Sequence, residues 1–266
     1  MPALQLVAIR QFLGGVIYIS YFLFKKTAWP KGKQWKTIII LSILNFVLSN
    51  ALSTWGVKYI SSGLGAIIGA CVPLWIVIIS FFQGERLSKF SILGLVISFS
   101  GVCIIFYDHL SDFLIPDFKF GIIISIISTL TWAFGTLYTK QKAASFNPYF
   151  SLGIQMFLSS ILVFAYTGAA GISVPLNEIP AISWWSIAYL VIFGSVLTFI
   201  AFIYALQHLP ASISSVYSYI NPIIAVLLGA IIFGETLNAA IAIGGSVTLF
   251  GLYLVNYSLR KDRSKA

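Results

Sequence analysis

Nine apolar stretches, each close to 20 residues long, leave this chain almost no residues from which to build a water-soluble core. They run Leu4 to Phe24, Thr37 to Trp55, Ser62 to Phe82, Phe90 to Tyr107, Phe120 to Thr139, Tyr149 to Gly171, Trp184 to Leu206, Ala211 to Phe233, and Ala239 to Tyr257. An α-helix of about 20 residues crosses the roughly 30 Å of bilayer hydrocarbon, and lipid offers no partner for a backbone group left unpaired. Helices satisfy those groups within each segment, so the chain is expected to be all-α and polytopic, with nine transmembrane helices. Composition agrees. Of 266 residues, 59% are hydrophobic and only 9% charged, whereas a soluble domain carries about a quarter of its residues as Asp, Glu, Lys and Arg.

The charge that remains is sorted by side. If the C-terminal Arg260, Lys261, Arg263 and Lys265 lie in the cytoplasm, alternate loops place Lys25, Lys26, Lys31, Lys33, Lys36, Arg86, Lys89, Lys140 and Lys142 there too. Only Lys58 and Lys119 fall outside, the asymmetry expected of a multi-pass inner (plasma) membrane protein with a cytoplasmic C-terminus. The net charge of +9 is thereby explained without nucleic acid as a partner. No cofactor, metal or catalytic group is expected. Cys71 and Cys103 sit in apolar runs without metal-binding or redox spacing, and the two histidines are isolated.

The chain also repeats itself at an offset of about 150 residues. Gly84-Glu85-Arg86-Leu87 matches Gly234-Glu235-Thr236-Leu237; Gly94 and Gly101 match Gly244 and Gly251; Pro73 matches Pro222 after a one-residue slip. Small residues align with small, as in Ser62 with Ala211, Ala66 with Ser215, and Gly69 with Ser218. Five crossings separate Glu85 from Glu235, so equivalent positions lie on opposite membrane faces and the repeats are inverted. The expected organisation is a first repeat over 1–108, a second over 119–258, and a basic cytoplasmic tail over 259–266. Two similar halves that exchange shapes can open one midplane site to each side in turn.

In this order and duplicated, the two Gly-Glu-x-Leu stretches, Pro73 and Asn221-Pro222, the glycine pairs and the Pro2 to Arg10 opening resemble the EamA-type members of the drug/metabolite transporter superfamily. The resemblance covers nearly the whole chain. It implies ten helices in two inverted five-helix bundles, a central cavity, and export of amino acids, metabolites or drugs. The second repeat has a helix, Phe120 to Thr139, before Asn147-Pro148, whereas the first begins at Met1-Pro2. The counterpart of that helix, the first of the ten, is thus expected to be missing. A secondary exporter is the expected function, with a small-molecule solute and the bilayer as partners; proton coupling and a homodimer stay open. The alternatives are a non-transporting integral-membrane scaffold and a membrane enzyme.

Polar groups inside spans are the candidate cavity residues, because hydrocarbon penalises them unless they face the protein interior. Arg10 could meet an anionic solute group or a carboxylate, or snorkel to the interface. Asn45 and Asn50 could contact solute or bond between helices. Trp75, Trp132, Tyr204, Tyr217 and Asn221 lie deep in helices whose family counterparts line the cavity, whereas Trp55, Tyr138, Trp184 and Trp185 near span ends read as an interfacial belt. Pro73 and Pro222 each remove a mid-helix donor and favour a kink, serving either gating or tolerated packing. Glu85 and Glu235 read as helix-end acids, interfacial rather than proton-carrying. The glycine pairs, and Gly65 with Gly69, read as sites of close helix approach.

Overall fold

A computed structural model describes residues 1–84, 88–108, 114–142, 146–209, 214, 221, 224, 231 and 239–263. Among them the chain is helical: α1 (Ala3–Phe24), α2 (Lys33–Gly56), α3 (Ser62–Ala70), α4 (Val72–Phe82), α5 (Lys89–Asp108), α6 (Pro116–Lys142), α7 (Pro148–Ala169), α8 (Ala181–His208) and α9 (Ala239–Arg263). Counting the run Gly63–Phe82 as one, six of these are long and apolar enough to cross a membrane, and Lys89–Ile104 and Ala242–Val255 are shorter apolar segments. Eight of the nine expected spans are thus present as helix. Most of Ala211 to Phe233, with Tyr217 and Pro222, lies outside the described residues, as do Glu85 and Glu235.

Local chemistry sets the ends. Asn147 caps α7 by accepting from the N–H groups of Tyr149 (3.1 Å) and Phe150 (3.0 Å), and Pro148 takes the first helical position, where no donor is lost. Gly84 closes α4 at φ +97°, the left-handed geometry glycine adopts without a Cβ penalty, which explains the glycine of that Gly-Glu-x-Leu stretch. Lys140 donates to the carbonyls of Leu206 (2.5 Å) and Leu209 (2.9 Å), so this cation caps the C-terminal end of α8, where the helix dipole favours positive charge. The last helix runs on to Arg263, carrying helical structure into the basic tail.

The kink expected at Pro73 takes a different form. The helical run breaks at Cys71, and Pro73 occupies the second position of the new helix α4, where a missing N–H is harmless. Two other helices widen instead of breaking. Ser42–Ala51 in α2 and Leu190–Leu197 in α8 are π-helical, and the two segments fall at corresponding points of the two repeats, about 148 residues apart. Wide turns leave carbonyls poorly paired within the helix, and such segments are frequent at functional sites.

The chain divides into two compact units, one of Met1–Trp55 with Phe134–Pro210, the other of Gly56–Ala133 with Ala211–Ala266. Each unit therefore draws on both sequence repeats. In the first, α1 packs antiparallel on α7 around Gly15 and Gly153: a Cβ at Gly15 would lie 2.7 Å from the Phe157 nitrogen and 2.9 Å from the Gly153 oxygen. Leu4, Val7, Ala8, Ala51 and Val163 form one apolar cluster here, and Ile38, Phe150 and Ile154 another.

In the second unit, α5 packs along α9 with the same logic. A Cβ at Gly94 would meet the Gly251 oxygen at 2.6 Å, and one at Gly101 would meet the Gly244 oxygen at 2.5 Å. Gly94 thus faces the repeat equivalent of Gly101, and Gly101 faces the equivalent of Gly94. Between them Ser98 Oγ donates to the Thr248 carbonyl (3.1 Å), and Thr248 Oγ1, which donates to the Gly244 carbonyl of its own helix (2.7 Å), lies 3.4 Å from the Ser98 carbonyl; Ser98 and Thr248 are 150 positions apart. Such reciprocity is that of a local two-fold relation between antiparallel helices. Lipid supplies no hydrophobic drive between helices, so close backbone approach and the Ser98 hydroxyl bond carry the contact.

Candidate functional site: a polar cluster in the first unit

Among the described residues, five buried side-chain polar atoms have no hydrogen-bond partner, and four of them belong to the first unit: Arg10 Nε, Asn45 Oδ1, Thr136 Oγ1 and Ser195 Oγ. Buried polar atoms are nearly always paired, so such a concentration marks this unit's interior as the place to look for a solute.

The cluster is built on α1. Gln11 is fully buried and sits at its centre. Its amide donates to the Phe46 carbonyl (3.2 Å) and, at 3.4 Å, to Asn50 Oδ1, while its own oxygen accepts from Ser159 Oγ (2.7 Å). One side chain thereby ties α1 to α2 and α7. Arg10, half-buried beside it, donates from Nη2 to Asn50 Oδ1. Gln155 on α7 accepts from Asn45 Nδ2 at 3.5 Å, the outer limit of such a bond, and donates to Ser151 Oγ (2.9 Å). Ser42 Oγ donates to the Gln155 carbonyl (2.8 Å). The unpaired Asn45 Oδ1 abuts Gly135 of α6, where any Cβ would collide with it.

Both π segments feed into α1. The Phe46 carbonyl, inside the first, receives Gln11; the Val196 carbonyl, inside the second, receives the Tyr18 hydroxyl at 2.8 Å. Thr198 Oγ1 reaches the Phe193 carbonyl at 2.6 Å, five residues back, as the widened turn allows.

The structure brings three expected site residues together here: Arg10, Asn45 and Asn50. The aromatic candidates lie elsewhere. Trp75 of the second unit donates from its indole to Thr129 Oγ1 (3.1 Å) and lines an apolar cavity of about 340 Å³ with Leu64, Cys71, Phe99 and Cys103. Trp132 is half-buried in α6. Tyr204 is 60% exposed, its ring 4.2 Å from that of His208, and Asn221 is exposed. Sequence reasoning missed Gln11, Gln155 and Ser159. Glutamine in an apolar run, as at Gln11 and Gln155, carries the same signal as Asn45 and Asn50.

Removing the Trp75 contact is expected to be mild for stability. Thr129→Val keeps the shape but leaves the indole N–H unpaired, a cost of about 1–3 kcal/mol, visible as a lower melting midpoint and altered tryptophan emission in detergent.

Paired antiparallel helices from two repeats, with a polar interior among apolar spans, define a multi-pass membrane protein of transporter type. The EamA-like transporter family matches residues 1–107 and 119–257, and the chain belongs to that family. Among curated proteins, it is 24% identical over 256 residues to the "Uncharacterized inner membrane transporter YedA" of Escherichia coli (strain K12), spanning 96% of this chain and 81% of that protein. It is 27% identical over 251 residues to an "Uncharacterized transporter" of Archaeoglobus fulgidus (93% and 85%), and 23% identical over 275 residues to the "Uncharacterized transporter YvbV" of Bacillus subtilis (100% and 86%). A solved crystal structure shares the fold with a TM-score of 0.70 over 98% of this chain and 90% of that one, at 16% identity.

Proposed function

We propose that the chain is a secondary transporter that exports small metabolites, amino acids or drugs by alternating access of two inverted repeats, in the inner membrane with its C-terminus in the cytoplasm. The observation that carries this reading is the reciprocal packing of α5 on α9, where Gly94 meets Gly251, Gly101 meets Gly244, and Ser98 lies against Thr248 with its hydroxyl on the Thr248 carbonyl. Two helices of equivalent sequence in equivalent surroundings can exchange environments at little net cost, as an alternating mechanism needs. The paired π segments, in which the Phe46 and Val196 carbonyls also accept bonds from side chains of α1, supply places where α2 and α8 can rewind.

The test is solute flux. Reconstituted vesicles carrying the chain should accumulate or release members of a mixed amino-acid, metabolite and drug panel faster than empty vesicles. Rates equal to the empty control across the panel would overturn the reading. Collapsing the proton gradient in the same vesicles decides the coupling, and a C-terminal fluorescent or phosphatase fusion decides the orientation. If Trp75 lines the path, Trp75→Ala should slow flux at unchanged membrane abundance; unchanged flux removes the second unit's cavity from the route.

A further inference from the structure

We propose that Arg10, held by Asn50 and Gln11, anchors the anionic group, a carboxylate or phosphate oxyanion, of the solute that this protein moves. The inference rests on the transporter reading above and gives it a solute class.

Arg10 is the one charged residue of α1, seven residues beyond its start, which is about 10 Å along the helix axis. A cation at such a depth is costly, and one that snorkels frees its head toward the interface. Here the head is drawn sideways instead. Nη2 is spent on the amide of Asn50, a neutral acceptor that also receives Gln11, while Nε is buried with nothing to donate to. A guanidinium has five N–H donors in a planar fork and keeps its charge across physiological pH. The side chain therefore offers a fixed positive charge and an unused buried donor, still half-buried rather than sealed. Planar, bidentate oxyanions are what such a fork binds best. Gln11 and Asn50 act as positioning residues: Gln11 is itself pinned by Phe46 and Ser159, so the amide that orients the guanidinium is held in turn.

The test compares cells expressing the wild-type chain, R10K and R10Q at matched membrane abundance, with excreted solutes profiled by mass spectrometry. Solutes whose excretion depends on the wild-type chain should carry a carboxylate or phosphate at neutral pH, and their chemistry tells the two sources apart. R10Q should lower that excretion at least tenfold. R10K, which keeps the charge but loses the fork, should fall between. Dependent solutes that all lack an anionic group, or full excretion by R10Q, would overturn the proposal. A second measurement needs neither a variant nor flux: in the purified full chain, phenylglyoxal modification of Arg10, read by peptide mass spectrometry, should slow several-fold in sodium acetate or phosphate relative to chloride at equal ionic strength, while Arg263 is unaffected. An unchanged rate in both probes removes the anion site even if transport is seen. Protection without any flux keeps the site and fails the transporter reading.

Discussion

Gly251→Leu should abolish recovery of a folded, monodisperse protein. The glycine lies against α5 so closely that even a Cβ would stand 2.6 Å from both the Gly94 oxygen and the Ser98 hydroxyl, with the Ser98 backbone nitrogen closer still. That neighbour is backbone, unable to swing away as a side chain could, so the helices must part. Parting them removes the Gly94 and Gly101 approaches and the bond from the Ser98 hydroxyl to the Thr248 carbonyl together. Overpacking a tight site by a methylene or so costs about 1–3 kcal/mol, and a leucine asks for several times that volume; typical total stability is only about 5–15 kcal/mol. The measurement is membrane abundance followed by size-exclusion chromatography in mild detergent. Gly94→Ala should give a folded protein with a clearly lowered melting midpoint. Gly69→Ala is the control, since nothing lies within 4 Å of a Cβ there. A Gly251→Leu protein that elutes and melts like wild type would show that the α5–α9 contact does not hold the second unit together.

Asn50→Leu should be nearly as damaging in the first unit, and a second substitution should repair it. Asn50 Oδ1 accepts from Arg10 and also from Gln11, so leucine leaves a cation among apolar helices without that bond. A hydrogen bond to a charged group is worth about 1.5–3 kcal/mol, and without it the guanidinium keeps its desolvation cost uncompensated among apolar helices. Replacing both partners by apolar groups removes the stranded charge as well. Arg10→Leu with Asn50→Leu should therefore be more stable than Asn50→Leu alone, while excretion stays lost if Arg10 anchors the solute as proposed. Melting midpoints of the two single variants and the double one close the cycle. Additive losses would mean that the two side chains do not act on each other.

These two sites were legible in the sequence to different degrees. The glycine pairs at 94/101 and 244/251 could be read as close-approach positions because glycine seven residues apart keeps one helix face bare. That each pair meets the other, in reversed order, could not be read: spacing reports on one helix, and the partner is chosen by how separate helices pack. Arg10 and Asn50 each stood out as polar groups in apolar runs, yet they are 40 residues apart and nothing local says they touch. Gln11 stayed hidden beside the more conspicuous arginine, although the structure makes it the central tie. The expected kink at Pro73 was read from what proline removes; the helix instead breaks two residues earlier, at Cys71, and restarts so that the missing donor falls in a first turn, where it costs nothing. The π segments had no sequence signal at all, since a widened turn is a compromise between helix register and the contacts made on either side.

By itself the sequence determined that this protein is a multi-pass, all-helical membrane protein and that its two halves repeat, because hydrophobic length and residue spacing are properties of the chain read in order. Only the tertiary structure decided that each compact unit takes its helices from both repeats, and that one arginine ends beside an amide with a buried donor unspent. Packing and polar pairing are settled between segments far apart in the chain, and no local pattern records them.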